Sequence, residues 1–149
     1  MNYQHILLAV DDSPTAIATA EQVIILAKAL NSKVTIASVV VLDPLTSVSF
    51  YKNVPGITDY YLAAKAHAKN ILAELKHKFI HHGIETETKL ISSHSPSDGI
   101  SKLADELNVD LIVVGSHGRT GLKKALIGSI AHDILTSSHV PVLVMKHTK

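Results

Sequence analysis

The residues best suited to chemistry lie between Val114 and Ile130, where the chain reads Val-Gly-Ser-His-Gly-Arg-Thr-Gly-Leu-Lys-Lys-Ala-Leu-Ile-Gly-Ser-Ile. Glycine lets a backbone turn with positive φ and come close to a ligand. Successive free N–H groups in such a turn form a concavity that suits an anion. A second donor set follows at Gly128-Ser129. With Ser129 as the cap of a final helix, the N–H groups of its first turn and the helix dipole favour negative charge. Gly128 inside a longer helix would cost about 1 kcal/mol relative to Ala, so a break there is the cheaper reading. Arg119, Lys123 and Lys124 add positive charge between the two sets. Taken singly, each glycine is an ordinary turn or cap residue and the basic groups are a solvated face. Together, after an apolar run, they read as an anion site. The pattern is neither GxxxxGK[ST] nor GxGxxG, so the residues alone say "anion" and no more.

A second constellation is Ala9-Val10-Asp11-Asp12-Ser13. An Asp at a strand tip can accept hydrogen bonds from ribose hydroxyls or an adenine amine. Asp11, which directly follows the strand, is the better ligand; Asp12 reads as an acidic residue at a helix start. Ten histidines are present. His77, His81 and His82 read as exposed helix residues, because no carboxylate sits beside them at metal-ligand spacing. His117, inside the glycine segment, either touches a phosphate or projects to solvent. No Ser-His-Asp or Cys-His arrangement is legible.

The elements that must position these residues alternate between strand and helix. His5 to Val10 is a short apolar run, hence a buried strand. Ser13-Pro14 opens a helix, with Ser as cap and Pro at the first position. Ile17, Ala20, Ile24 and Ala27 mark its inner face, and Asn31 ends it. Lys33 to Val41 is a second strand, broken by Asp43-Pro44. From about Thr58 to His82 a long helix carries Leu62, Ala66, Ile71, Leu75 and Phe79 near one face, stopped by Gly83. Ile84 to Ile91 alternates as a half-exposed strand near a sheet edge. A third helix opens at Ser95-Pro96 and runs to about Leu107. Leu111 to Val114 is a fourth strand. The last helix ends near Ser137, and Pro141 to Met145 is a fifth strand. Strands separated by helices imply right-handed crossovers and a doubly wound parallel α/β sheet. Ligands in such sheets bind at the carboxyl ends of the strands, where the strand order reverses.

Composition narrows the function classes. The 149 residues suit one domain. A net charge of +1 and few, scattered aromatics argue against a nucleic-acid binder. Cysteine is absent, which removes disulfides, thiolate metal sites and thiol nucleophiles. No apolar run approaches the roughly 20 residues that cross a bilayer. The start, MNYQHILLAVDDS, lacks the basic n-region of a signal peptide. The expectation is a cytoplasmic, soluble protein.

The assembled residues resemble the universal stress protein family. Its nucleotide-binding branch carries Gly, two residues, Gly, nine residues, Gly, then Ser or Thr; Gly115, Gly118, Gly128 and Ser129 fill that pattern. HILLAVDDSPTA, VDLIVVGSHGRTGLKKALIGSIAHDIL and VPVLVMK also look like family segments, so the resemblance spans nearly the whole chain. It implies one universal stress protein domain over residues 1–149. The implied fold is a five-stranded parallel sheet in the order 3-2-1-4-5, similar to the adenine nucleotide alpha hydrolases. It implies ATP across the ends of strands one and four. Ala9, Val10 and Asp11 would border the adenosine, and Val39 would meet adenine through its backbone. Gly115, Ser116, His117, Gly118 and Arg119 would surround ribose and phosphates, with Gly128, Ser129 and Ile130 closing on the phosphate tail. A divalent metal such as Mg²⁺ can accompany ATP, with no metal ligand readable. Family members dimerise, here through the last strand, Val142 to Met145. The resemblance points to a sensor or switch in a stress response rather than an enzyme. The alternatives are a weak nucleotide hydrolase or nucleotidyl-transfer relative, with His117 or Asp11 as its base, and a nucleotide-free dimeric module.

Overall fold

The computed structural model describes residues 2–41, 55–116 and 127–146. Nine elements alternate along them: β1 (His5–Ala9), α1 (Pro14–Leu30), β2 (Lys33–Val41), α2 (Pro55–His81), β3 (Thr86–Ser93), α3 (Pro96–Leu107), β4 (Leu111–Gly115), α4 (Ser129–Ser137) and β5 (Val142–Met145). The five strands form one parallel sheet in the order β3-β2-β1-β4-β5. β1 therefore lies at the centre, with Ile6 opposite Val34 on one side and Leu111 on the other. The Asp110 carboxylate fixes this pairing at its base, accepting from the backbone N–H groups of Gln4 and His5 at 3.0 Å each.

Strand periodicity divides the core in two. Ile6, Leu8, Ile36 and Val113 pack under α1 and α2, with Phe79 and Val23 above them. Leu7, Ala37, Ile112 and Val114 face α3 and α4, against Ile100, Leu103 and Ile134. β1 to β3 move outward in one direction, and β4 and β5 in the other. Right-handed crossovers then put one helix pair on each face.

Three helices hand the chain to the next strand by the same device. Asn31, Gly83 and Asn108 take positive φ of 55°, 79° and 51°. The following N–H then reaches back into the last turn: Ser32 to Ala27 O at 2.9 Å, Ile84 to Phe79 O at 3.1 Å and Val109 to Ala104 O at 3.1 Å. This is the Schellman arrangement. It corrects the start of the third strand. Ile84 is the buried residue after the cap rather than the first strand residue, and β3 begins at Thr86.

The inner helix faces also differ from expectation. In α1 the buried residues are Ala16, Thr19, Ala20, Val23, Ile24 and Ala27, while Ile17 is exposed. In α2, Leu62 and Ala66 face solvent, and Leu72, Leu75 and Phe79 carry the packing. Among the described residues, no helix is long and apolar enough to cross a membrane.

At the amino ends of the strands, the His5 ring lies 2.8 Å from Thr35 Oγ1. Burial holds its pKa below the usual histidine value, Lys33 adds to the depression, and Asp110, Glu87 and Glu85 oppose it.

Candidate functional site at the carboxyl ends of the strands

At the opposite end of the sheet, β1 and β4 part company with the direction of the chain, and a cleft of about 350 Å³ opens between their tips. It is lined by Ala9 at the end of β1 with Val10 and Asp11 just after it, and by Gly115 at the end of β4 with Ser116 just after it. Parallel pairing brings these tips level, since Leu8 lies opposite Val113.

Asp11 is locked by a short turn. Its Oδ1 accepts from the Ser13 N–H at 2.9 Å and from the Ser13 hydroxyl. The Ser13 hydroxyl also lies 2.8 Å from Thr15 Oγ1. This changes the expected role of Ser13: it is the N-cap residue of α1, but its side chain makes no cap hydrogen bond. Its hydroxyl orients Asp11 instead, as short polar side chains do in Asx-type turns.

The other side of the cleft is the start of α4. The helix begins at Ser129, as the helix-break argument for Gly128 required, but the cap is Gly128 and not Ser129. Gly128 has φ −60° and ψ 156°, an extended conformation open to most residues, and it offers no side chain to the first turn. The N–H groups of Ser129, Ile130 and Ala131 lie within that turn, where a helix has no internal acceptors for them. All three residues line the cleft. Two backbone bonds anchor this helix start to the sheet: Ser116 N–H to Met145 O at 2.8 Å and Gly128 N–H to Ser116 O at 2.6 Å.

The third wall was not legible in the sequence. α2 lays Tyr60, Tyr61, Ala64, His67, Ala68 and Ile71 along the cleft, opposite Val39 and Val41 of β2. His67 Nε2 stands 3.7 Å from Asp12 Oδ2 at the mouth. The pair is partly solvated, so its contribution is within about 1 kcal/mol. A signal existed in the spacing Tyr61, Ala64, Ala68, Ile71, a helical stripe whose two middle residues are small.

Of the sequence-expected site residues, Ala9, Val10, Asp11, Val39, Gly115, Ser116, Gly128, Ser129 and Ile130 all line this one cleft. His117, Gly118 and Arg119 lie outside the described residues, as do Lys123 and Lys124. Among the described residues, no group of three or more His, Asp or Glu side chains could hold a metal ion.

Comparison with known proteins follows the same lines. The model of the universal stress protein family matches residues 2–146. The universal stress protein YxiE of Bacillus subtilis is 30% identical over 151 residues, covering 97% of this chain and 99% of its own. Among solved structures, that of protein MJ0577, a test case for assigning biochemical function from structure, superposes with a TM-score of 0.84 at 27% identity. It covers 100% of this chain and 99% of that one. A universal stress protein from Archaeoglobus fulgidus in complex with dAMP shares the fold with a TM-score of 0.67 at 23% identity, covering 97% and 98%. A universal stress protein in complex with cAMP does so with a TM-score of 0.66 at 24%, covering 97% of each chain. The family match over almost every residue, together with a parallel sheet in the order β3-β2-β1-β4-β5, means that this chain belongs to the universal stress protein family.

Proposed function

We propose that the cleft holds an adenine nucleotide, ATP foremost, and that the protein acts as a cytoplasmic, dimeric sensor or switch in a stress response. One observation carries the reading: Asp11 and the first turn of α4, which has no side-chain cap, line the same cleft. A carboxylate suits ribose hydroxyls or the adenine amine, and a helix N-terminus suits phosphate. The apolar wall between α2 and β2 suits a purine. The dAMP and cAMP complexes of two proteins with this fold support the same ligand class.

In this reading Gly115, Ser116, His117, Gly118 and Arg119 surround ribose and phosphates, and Gly128, Ser129 and Ile130 close on the phosphate tail. Val39 meets adenine through its backbone. A Mg²⁺ ion would be carried by the phosphates and water, its common mode. The nucleotide biases the Gly115–Ser129 segment between two arrangements, and a partner reads the difference; this requires unequal affinity for the two. The role is to hold the nucleotide, so phosphate release should not exceed that of a Gly118→Val control. The dimer would form along β5, an edge strand with one unpaired side.

Thermal melting with millimolar ATP, with and without Mg²⁺, tests the core of this reading. A ligand at one hundred times its Kd stabilises a folded protein by about 2.7 kcal/mol. No shift in either condition would sink it. Mass spectrometry of the denatured, freshly purified protein adds the identity of any nucleotide carried along.

A further inference from the structure

The cleft has two chemically different ends. At the β4 end stand the backbone donors of α4. At the β2 end the wall is apolar, made by Val39, Val41, Ala64, Ala68 and Ile71. A molecule with an anionic tail and a flat heterocycle has one favourable orientation between such ends, with the heterocycle toward β2. Beyond β2, among the described residues, lies the edge strand β3, roughly 10 Å from β1 at ordinary strand spacing.

A side-chain bridge crosses at that limit. Tyr61 of α2 lines the cleft, and its phenol oxygen lies 2.8 Å from Ser92 Oγ. Ser92 sits near the end of β3, in register with Val40 of β2. The Tyr61 ring is half buried, whereas the preceding Tyr60 is 74% exposed. A tyrosine held at both its backbone and its hydroxyl has its ring position restrained, here by a bond that faces solvent. An unanchored ring would turn aside at its first torsion.

We propose that Tyr61, positioned by Ser92, sets the depth of the heterocycle end of the cleft, and thereby selects an unsubstituted adenine over one carrying a bulky group on its exocyclic amine. The inference rests on the nucleotide reading above and deepens it. Its mechanism is steric: the ring occupies the space a substituent would need, and the hydroxyl bond keeps it there. Ser92 touches no ligand and acts only through Tyr61.

The test compares Kd for ATP and for N6-benzyl-ATP across the wild type, Tyr61→Ala, Tyr61→Phe and Ser92→Ala. The ratio of the two constants cancels losses that strike both ligands alike. The wild type should prefer ATP by about tenfold or more, the discrimination a close-fitting apolar pocket achieves. In Tyr61→Ala the ratio should approach one. Ser92→Ala removes the Ser92 bond and Tyr61→Phe removes the hydroxyl itself, and each should give a ratio between those of the wild type and Tyr61→Ala; these mild variants carry the test if the alanine variant folds poorly. An unchanged ratio in all four proteins, with ATP still bound, overturns the role of Tyr61 alone. Failure of the wild type to bind either nucleotide overturns it together with the nucleotide reading.

Discussion

Asp11 and Ser13 form a self-contained unit: one carboxylate oxygen, Oδ1, receives both the backbone N–H and the hydroxyl of the residue two positions on. The second oxygen takes no part in this turn and, in the proposed nucleotide site, is the one left for a ligand. Asp11→Ala should therefore weaken ATP binding by about tenfold or more, equivalent to about 1.4 kcal/mol. Ser13→Ala should weaken it less, because the carboxylate remains and keeps the bond from the Ser13 backbone N–H while losing the one from the hydroxyl. Isothermal titration of both variants checks the order; equal losses, or none, would contradict it.

Ser129 is the first residue of α4, and Gly128 before it already has the extended backbone that precedes proline comfortably. Proline is well tolerated at a first helical position. Ser129→Pro should thus fold normally, with a Tm close to the wild type, yet lack one N–H and one hydroxyl facing the phosphate tail. Affinity for ATP should fall by about tenfold or more, at roughly 1.5–3 kcal/mol for a hydrogen bond to a charged group. Unaltered affinity would remove α4 from the phosphate site.

Gly83 ends α2 with φ 79°, and a Cβ added there would meet nothing within 4 Å. The cost of Gly83→Ala is then backbone strain alone, about 1–2 kcal/mol. Urea unfolding should show that loss with an unchanged slope. A neutral result would mean that the Phe79–Ile84 cap re-forms without the left-handed residue.

The folded-state pKa of His5 lies below its ordinary value of 6.5. The neutral ring is therefore favoured in the fold, and the unfolded chain binds more protons in the window beneath 6.5. His5 is neutral in both states above that window, so its contribution is intact there. As the pH falls from 6.5 through the depressed value, that stability is lost. The pH dependence of unfolding free energy between about pH 7.5 and pH 5 should be shallower in His5→Gln than in the wild type. Parallel profiles would contradict the assignment.

Ser116 N–H bonds to Met145 O and Ile112 N–H to Pro141 O, so odd-numbered residues of β5 turn their backbone groups toward β4. Strand alternation turns those of Val142 and Val144 outward. Proline fits an edge strand where its missing N–H faces away from the sheet. Val144→Pro should leave the monomer folded and abolish the proposed dimer. Light scattering coupled to size-exclusion chromatography reads this directly; a dimer that survives would lie on another face.

The strand-helix alternation was legible in the sequence because β2, β4 and β5 are short runs rich in Val and Ile, and the helices before β2, β3 and β4 end at Asn31, Gly83 and Asn108. The residues of the β1 and β4 tips were legible for the same reason, since a parallel sheet leaves ligands nowhere else to bind. The α2 wall was not. Its position depends on how the second crossover lies over the sheet, which is a property of packing. Its cleft-lining residues Ala64 and Ala68 are too small to mark a face. Of the inner face expected for α1, Ala20, Ile24 and Ala27 are buried; Ile17 is exposed, and Ala16 is in the core in its place. The diversion of the Ser13 hydroxyl to Asp11 is also invisible in sequence, because a serine before a proline reads as a cap whichever partner it takes.

The central place of β1 bears on how the chain emerges during synthesis. The partner of Ile6 on one side, Val34, follows within a few turns, but its partner on the other side, Leu111, comes from β4, and the Asp110 carboxylate that clasps His5 stands 105 residues downstream. The first strand made is thus the one whose second edge is satisfied late. A nascent chain halted before β4 carries an apolar strand with an open hydrogen-bonding edge, the feature that invites wrong partners. Ribosome-bound chains ending before residue 110 should need a chaperone, and those that have released β4 should not.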